Sequence, residues 1–327
     1  MGMMPDNAYY SKGTQLIIKP TSACNFDCTF CSAKKLDIPM HDKVPDVLRD
    51  YILDMKPRQV IITGGEPLIN PMSYFEDLIN ILDSIDHDYH ISMTSNLVLW
   101  YENPEKYDWL LKHPRVDVDT SFQYGDGRKD DQVYTEERFK ALFYAFEARY
   151  GKKLSFISVI NKDNEKFALK TCELAKELGT LCKLNSQIPV GLATEYYPRY
   201  KLLGIYLDII KAGLRDYESN LDSLEEHFCA FTRTYKHCLL NKAVYVNREG
   251  KLVEDHCEEV IASEGKLKIE NGSLFPKCYY CDLFSMCNAC SINRQCSEEV
   301  KHEHCEWMMS HKQELQLYGL IDYYDEA

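Results

Sequence analysis

Short apolar runs recur between residues 15 and 188, separated by longer stretches with a different rhythm. "QLIIK" (15–19), "QVIIT" (59–63), "HISMTS" (90–95), "RVDVDTSF" (115–122), "KLSFISVI" (153–160) and "LCKLNSQI" (181–188) read as six strands. Between them, "KVPDVLRDYILDM", "SYFEDLINILDSI", "PEKYDWLLKH", "TEERFKALFYAFEARY" and "EKFALKTCELAKEL" place apolar residues at i, i+3, i+4 and i+7, the pattern of amphipathic helices. Strand–helix alternation at about thirty residues per unit implies parallel strands joined by right-handed crossovers. Six such units predict an α/β fold, a partial (β/α)6 barrel open on one side, over residues 15–195, after an N-terminal extension at 1–14. Loops at the carboxyl ends of barrel strands are where active sites form.

The rhythm changes after residue 195. "YYPRYKLLGIYLDIIKAGLRDY" reads as a long helix or helix pair within a connector spanning 196–229. "AVYVNREGKLVED" reads as a hairpin turning at Arg248, Glu249 and Gly250. It lies inside a cysteine-rich domain expected over 230–310, with a tail at 311–327.

The fourteen cysteines fall mostly into two clusters. "TSACNFDCTFCSA" (21–33), directly after the first strand, spaces Cys24, Cys28 and Cys31 as C-x3-C-x2-C, and the next cysteine is Cys172. Four protein ligands are the rule for structural zinc and for ordinary 4Fe–4S clusters. Three leave one metal position open for chemistry. The second cluster, "CYYCDLFSMCNACSINRQC", reads C-x2-C-x5-C-x2-C-x5-C over 278–296. Cys229, Cys238 and Cys257 lie upstream and Cys305 downstream. Cys172 and Cys182, on a helix and a strand, read as small buried residues.

Composition narrows the classes. Hydrophobic residues make up 45% and charged residues 27%, as in soluble globular proteins. No apolar run approaches a membrane span, and "MGMMPDNAYYSK" has no signal-peptide core, so the expectation is a cytoplasmic protein with no membrane partner. In a reducing compartment, clustered cysteines bind metal rather than pair as disulfides. A net charge of -13 argues against extended nucleic-acid binding, which needs a basic stripe.

The three-cysteine loop, with Phe30 before its third cysteine, and "GGEP" (64–67) after the second strand together resemble the radical S-adenosylmethionine (SAM) superfamily. The resemblance covers residues 15 to about 195. It implies that Cys24, Cys28 and Cys31 hold a 4Fe–4S cluster whose fourth iron takes the amino and carboxylate groups of SAM. It also implies reductive cleavage of SAM to a 5′-deoxyadenosyl radical, with the electron coming from a donor such as flavodoxin or ferredoxin. On the same basis Phe30, Gly64, Gly65, Glu66 and Pro67 border SAM, with Glu66 toward the methionine ammonium. Ser95, Asn96 and Ser121 are candidates for the methionine carboxylate or the ribose, and Asn161 is another contact. Gln123 stands where relatives carry Asp, and "PVG" (189–191) is expected near adenine. For Ser121 and Asn161 the competing reading is ordinary strand-end hydrogen bonding.

The second cluster resembles the SPASM extension of these enzymes, which binds two auxiliary 4Fe–4S clusters. By that resemblance Cys278, Cys281, Cys287 and Cys305 form an outer cluster. Cys238 and Cys257, with Cys290 or Cys296, form an inner one. A single cluster of the twitch type, or structural zinc on the C-x2-C pairs, stays open at this point. His256, His302 and His304 neighbour the clusters. Cys229 is a candidate hydrogen-atom donor, and Glu258, following Cys257, is a candidate base. The resemblance implies a maturase that abstracts hydrogen from an amino-acid residue of a peptide or protein. Modification of a small molecule or of an amino-acid-decorated nucleoside is the alternative, and a non-catalytic cysteine-rich module is the third class.

Overall fold

A computed structural model describes residues 15–222, 241–255, 258–263, 266 and 298–320. Each predicted strand is present: β1 (Gln15–Ile18), β2 (Gln59–Ile62), β3 (His90–Thr94), β4 (Val116–Ser121), β5 (Phe156–Ile160) and β6 (Cys182–Ser186). They pair in chain order and in parallel. Two further strands, β7 (Asn241–Val246) and β8 (Leu252–Asp255), form the expected antiparallel hairpin. Gly250, at φ +76, closes its turn by donating its N–H to the Asn247 carbonyl. The hairpin is no separate sheet. β7 runs parallel to β1, with Ile17 opposite Ala243, so the eight strands form one sheet in the order β6-β5-β4-β3-β2-β1-β7-β8.

Alternation decides which face is covered. Leu16, Ile18, Val60, Ile62, Ile91, Met93, Phe156 and Leu184 are buried in one cluster with helix residues. The helices are α1 (Asp46–Met55), α2 (Met72–Asp83), α3 (Val98–Glu102), α4 (Pro104–Leu111), α5 (Glu136–Tyr150) and α6 (Ala168–Leu178). In α5 the sequence dictates both ends and the buried face. Thr135 caps the N-terminus by accepting from Arg138 N–H, Glu136 and Glu137 sit in the positive first turn, and Gly151 ends the helix at φ +65. Phe139, Leu142, Phe143 and Phe146 bury the i, i+3, i+4, i+7 stripe, each contributing about 1.5–3 kcal/mol. Phe122 of the β4 end stacks on Phe139 at 4.7 Å. The one unpredicted helix of this region, α3, has five residues, too few to show a period.

On the opposite face, around β1 and β7, a smaller cluster of Ala33, Leu36, Ile38, Ala243 and Ile261 packs against Ile17 and Tyr245. The chain after the third cysteine thus covers this edge of the sheet. The connector forms α7 (Arg199–Lys211), a 3-10 turn (Arg215–Tyr217) and α8 (Ser219–Asp222). Glu218, between the last two, is fully buried and accepts from Leu184 N–H of β6 and Leu221 N–H. Farther on, α9 (Glu258–Ala262) follows the hairpin, and α10 (Glu298–Ser310) and α11 (Lys312–Leu317) follow the second cysteine cluster. α10 lies along α7, where Tyr200 Oη donates to Glu303 at 2.8 Å. Among the described residues no helix is long and apolar enough to cross a membrane.

Candidate active site

The cysteine loop leaves the carboxyl end of β1 and is held by backbone hydrogen bonds to three other strand ends. After β2, Gly65 N–H donates to the Thr21 carbonyl and Glu66 N–H to the Ala23 carbonyl, both at 2.8 Å. After β4, Asp27 N–H donates to Lys129 (2.7 Å) and Thr29 N–H to Gly127 (2.9 Å). After β6, Leu192 N–H donates to the Cys31 carbonyl at 2.9 Å. The glycines at these contacts have a steric reason. A Cβ on Gly65 would fall 2.1 Å from the Ala23 oxygen, and one on Gly191 2.3 Å from the Cys31 oxygen. Gly64 adds a φ of +123 that side chains rarely adopt. The backbone that approaches GGEP so closely is therefore the chain's own cysteine loop.

Glu66 is 1% exposed, and its carboxylate organises the next strand end. Oε1 accepts from Ser95 Oγ (2.7 Å) and Leu68 N–H (3.0 Å), and Oε2 accepts from Asn96 N–H (2.7 Å). Burial pushes its carboxyl upward against these three donors. Pro67 begins a 3-10 turn (Pro67–Ile69) that Glu66 caps, a position where its missing N–H costs nothing. The Ser95 hydroxyl also accepts from Leu97 N–H. Asn96 donates from Nδ2 to Asn25 Oδ1 in the cysteine loop (2.7 Å) and accepts from Val98 N–H at Oδ1. Ser95 and Asn96 are thus committed to the framework that joins β3 to the loop. Asn161 is similarly engaged: Oδ1 accepts from Asp163 N–H and Asn164 N–H, and Nδ2 donates to Gln187. It closes the turn after β5.

Other candidates keep hydrogen-bonding capacity. Ser121, at the end of β4, is 8% exposed, and its hydroxyl makes no hydrogen bond among the described residues. Gln123 is 2% exposed with its Oε1 unpaired. Phe30 is buried, and the Arg128 guanidinium carbon lies 5.5 Å from its ring centre. The reading of single residues missed Asn25 and Arg128. Neither belongs to a periodic pattern, and the spacing of the cysteines around Asn25 was the sole available signal.

Burial pushes the Cys24 thiol up to about 11 and raises that of Cys28 as well. Cys24 Sγ accepts from Phe26 N–H at 3.3 Å, a bond that stabilises a metal-bound thiolate. Cys24, Cys28 and Cys31 are in no disulfide, and neither are Cys172 and Cys182, which are fully buried as expected. Among the described residues no group of three His, Cys, Asp or Glu side chains is gathered closely enough to hold an ion. The donor set nevertheless fits an iron–sulfur cluster by its chemistry: three soft thiols on one loop, with a backbone N–H already aimed at one sulfur. In the second cluster, Cys305 is half-buried on α10. His304, also on α10, lies with its ring 6.4 Å from that of Tyr200. Cys229, Cys238, Cys257, Cys278, Cys281, Cys287, Cys290, Cys296 and His256 lie outside the described residues, as do the side chains of Glu258 and His302.

No curated protein matches the sequence. Among solved structures, anSMEcpe with bound AdoMet is similar over 93% of this chain and 99% of its own, at 16% identity and a TM-score of 0.63. The same protein with AdoMet and the Cp18Cys peptide gives 15% identity and 0.63, over 94% and 99%. Streptococcus suis SuiB bound to its precursor peptide SuiA gives 16% identity and 0.55, over 84% of this chain and 71% of that one. At such identities the likeness is one of fold. The sequence itself matches the Radical SAM superfamily over residues 18–185, more than half of the chain and the span that contains the cysteine loop, GGEP and all six predicted strands except the first residues of β1 and the last of β6. The chain belongs to the Radical SAM superfamily, and it is an enzyme of that superfamily.

Proposed function

We propose that this enzyme is a maturase that abstracts hydrogen from an amino-acid residue of a peptide or protein. On this reading the six parallel strands form a partial barrel, and Cys24, Cys28 and Cys31 hold a 4Fe–4S cluster. With SAM bound and an electron from a flavodoxin or ferredoxin, that cluster supplies the 5′-deoxyadenosyl radical. The chain's own residues bind and aim. Gly64, Gly65, Glu66 and Pro67 fix the floor of the site, and Ser95 and Asn96 brace it. Ser121 and Gln123 offer unpaired hydrogen-bonding groups to SAM beside Phe30, and Asn161 shapes the rim. The cysteines from Cys238 to Cys305 hold one or two auxiliary clusters, with Glu258 as base and Cys229 as a hydrogen-atom donor near the substrate.

The observation that carries this reading is the stitching of the three-cysteine loop to the ends of β2, β4 and β6, beside the buried Gln123, whose Oε1 is unpaired among the described residues. Peptide as the substrate class is supported by the peptide complexes of anSMEcpe and SuiB, which share the fold. The test is anaerobic incubation of the iron-loaded enzyme with SAM and dithionite, with and without candidate peptides co-expressed with it. The expected result is 5′-deoxyadenosine together with a mass change in one peptide. Iron-loaded enzyme that forms no 5′-deoxyadenosine overturns the catalytic reading. Turnover with a peptide-free small-molecule extract, and with no peptide, overturns the maturase reading.

A further inference from the structure

Arg128 is 8% exposed, yet its buried Nε has no hydrogen-bond partner among the described residues. A buried cation is costly unless an anion offsets it. Among the described residues no acidic side chain forms an ion pair with it. Asp27 pairs with Lys34 at 3.1 Å, and Asp130 with Arg138 at 2.6 Å. Glu66 accepts from Ser95, Leu68 and Asn96, all neutral donors, and its carboxylate and the Cys28 thiol both feel the Arg128 charge without a hydrogen bond to it. What Arg128 does contact is the cysteine loop. Its guanidinium sits over Phe30, within the C-x-x-C segment, and its neighbours Gly127 and Lys129 accept the Thr29 and Asp27 backbone N–H groups on either side of Cys28.

We infer that Arg128 is the counter-cation of the three-cysteine centre, a positioning residue whose fixed charge favours cluster assembly and the reduced state. This rests on the reading that Cys24, Cys28 and Cys31 hold a 4Fe–4S cluster. Such a cluster with three thiolates is anionic, and it gains one more negative charge when a one-electron reductant reduces it. A guanidinium is permanently charged, so no proton moves. In a partly dry site the attraction between fixed opposite charges far exceeds its value in water. The guanidinium therefore stabilises the product of reduction more than the reactant.

The test is a reductive titration followed by electron paramagnetic resonance, on the iron-loaded full chain and on its R128K and R128M variants, all without SAM. The signal followed is the one that the combined Cys24→Ala, Cys28→Ala, Cys31→Ala variant lacks. If that variant lacks no signal, the cluster assignment itself fails, independently of Arg128. With the signal identified, R128M is expected to lower the ratio of reduced to oxidised cluster at a fixed potential about tenfold, equivalent to about 59 mV for one electron. R128K, which keeps the charge, should stay within about threefold of wild type. Should R128M fail to load iron at this site, loading is the readout, and R128K should load where R128M does not. Any other order overturns the proposal, including equal effects of both variants or of neither. A loss of SAM affinity in R128M with an unchanged potential also overturns it, and would mark Arg128 as a ligand-binding group instead.

Discussion

The α-carbon of Gly65 has no room for a methyl group because the carbonyl oxygen of Ala23, one residue before the first cysteine, would lie 2.1 Å from it. The obstacle is backbone, so no rotamer change relieves it. Gly65→Ala must push the cysteine loop away from the end of β2 and break the bonds from Gly65 and Glu66 N–H to Thr21 and Ala23. The expected cost is about 1–3 kcal/mol of stability, and a site that no longer loads iron to the wild-type level. Thermal unfolding and iron analysis of the reconstituted variant check it. Wild-type loading and melting would show that the loop can stand off without consequence.

Glu66→Gln tests the carboxylate as a framework acceptor. A glutamine oxygen can replace one carboxylate oxygen, but its NH2 then faces either Asn96 N–H or the Ser95 and Leu68 donors. A buried donor left without an acceptor costs about 1–3 kcal/mol. Urea unfolding should register that loss before any measurement of catalysis. An unchanged midpoint would mean that the Glu66 bonds contribute nothing net.

Glu218 sets a pH dependence of stability. Burial raises its carboxyl from 4.5 up to about 7, against the donors Leu184 N–H, Leu221 N–H and Asn220 Nδ2. A carboxyl with a raised folded-state value binds its proton more tightly when folded. Its contribution is fully present below 4.5 and is lost as pH rises toward about 7. At about 1.4 kcal/mol per pH unit, the swing is about 3.5 kcal/mol at most. Urea unfolding of wild type and Glu218→Gln between these pH values should show wild type gaining on the variant as pH falls. Parallel curves would place the Glu218 titration elsewhere.

Iron content tests the second cysteine cluster. Three 4Fe–4S centres correspond to about twelve irons per chain and a single auxiliary centre to about eight. Stoichiometric zinc with about four irons would mean a structural zinc site. Cys281→Ala, once shown to be soluble and to keep the cluster of the first cysteine loop, should still form 5′-deoxyadenosine while product falls sharply. Product at the wild-type rate would reduce the Cys281 centre to a structural role.

Much of the core was legible from periodicity alone. The first two strand runs alternate, and α5 shows its apolar stripe in Phe139, Leu142, Phe143 and Phe146, whereas α10 and α11, beyond the cysteine cluster, are not among the helices that the sequence predicts. The cysteine spacing and GGEP located the site, because both are local in sequence. What could not be read is the division of labour within it. A glycine pair signals a close approach but not its partner, which is the cysteine loop. Ser95, Asn96 and Asn161 look alike as polar residues at strand ends, and all three are engaged in hydrogen bonds to the framework, whereas Ser121 makes none among the described residues. Arg128 sits in "GDGRKDD", where only three-dimensional packing separates a buried cation from a solvated one.

The parallel pairing of β7 with β1 has a consequence for synthesis on the ribosome. Strand β1 emerges well over two hundred residues before the neighbour that covers its outer edge, which begins only at Asn241. Until then Gln15–Ile18 offers unpaired backbone groups on an apolar strand, a template for pairing with another nascent chain. A fragment ending near residue 195 keeps every strand from β1 to β6 but never acquires that cover. It should associate edge to edge where the longer chain stays dispersed, and extending it through Asp255 should restore solubility, independently of any metal.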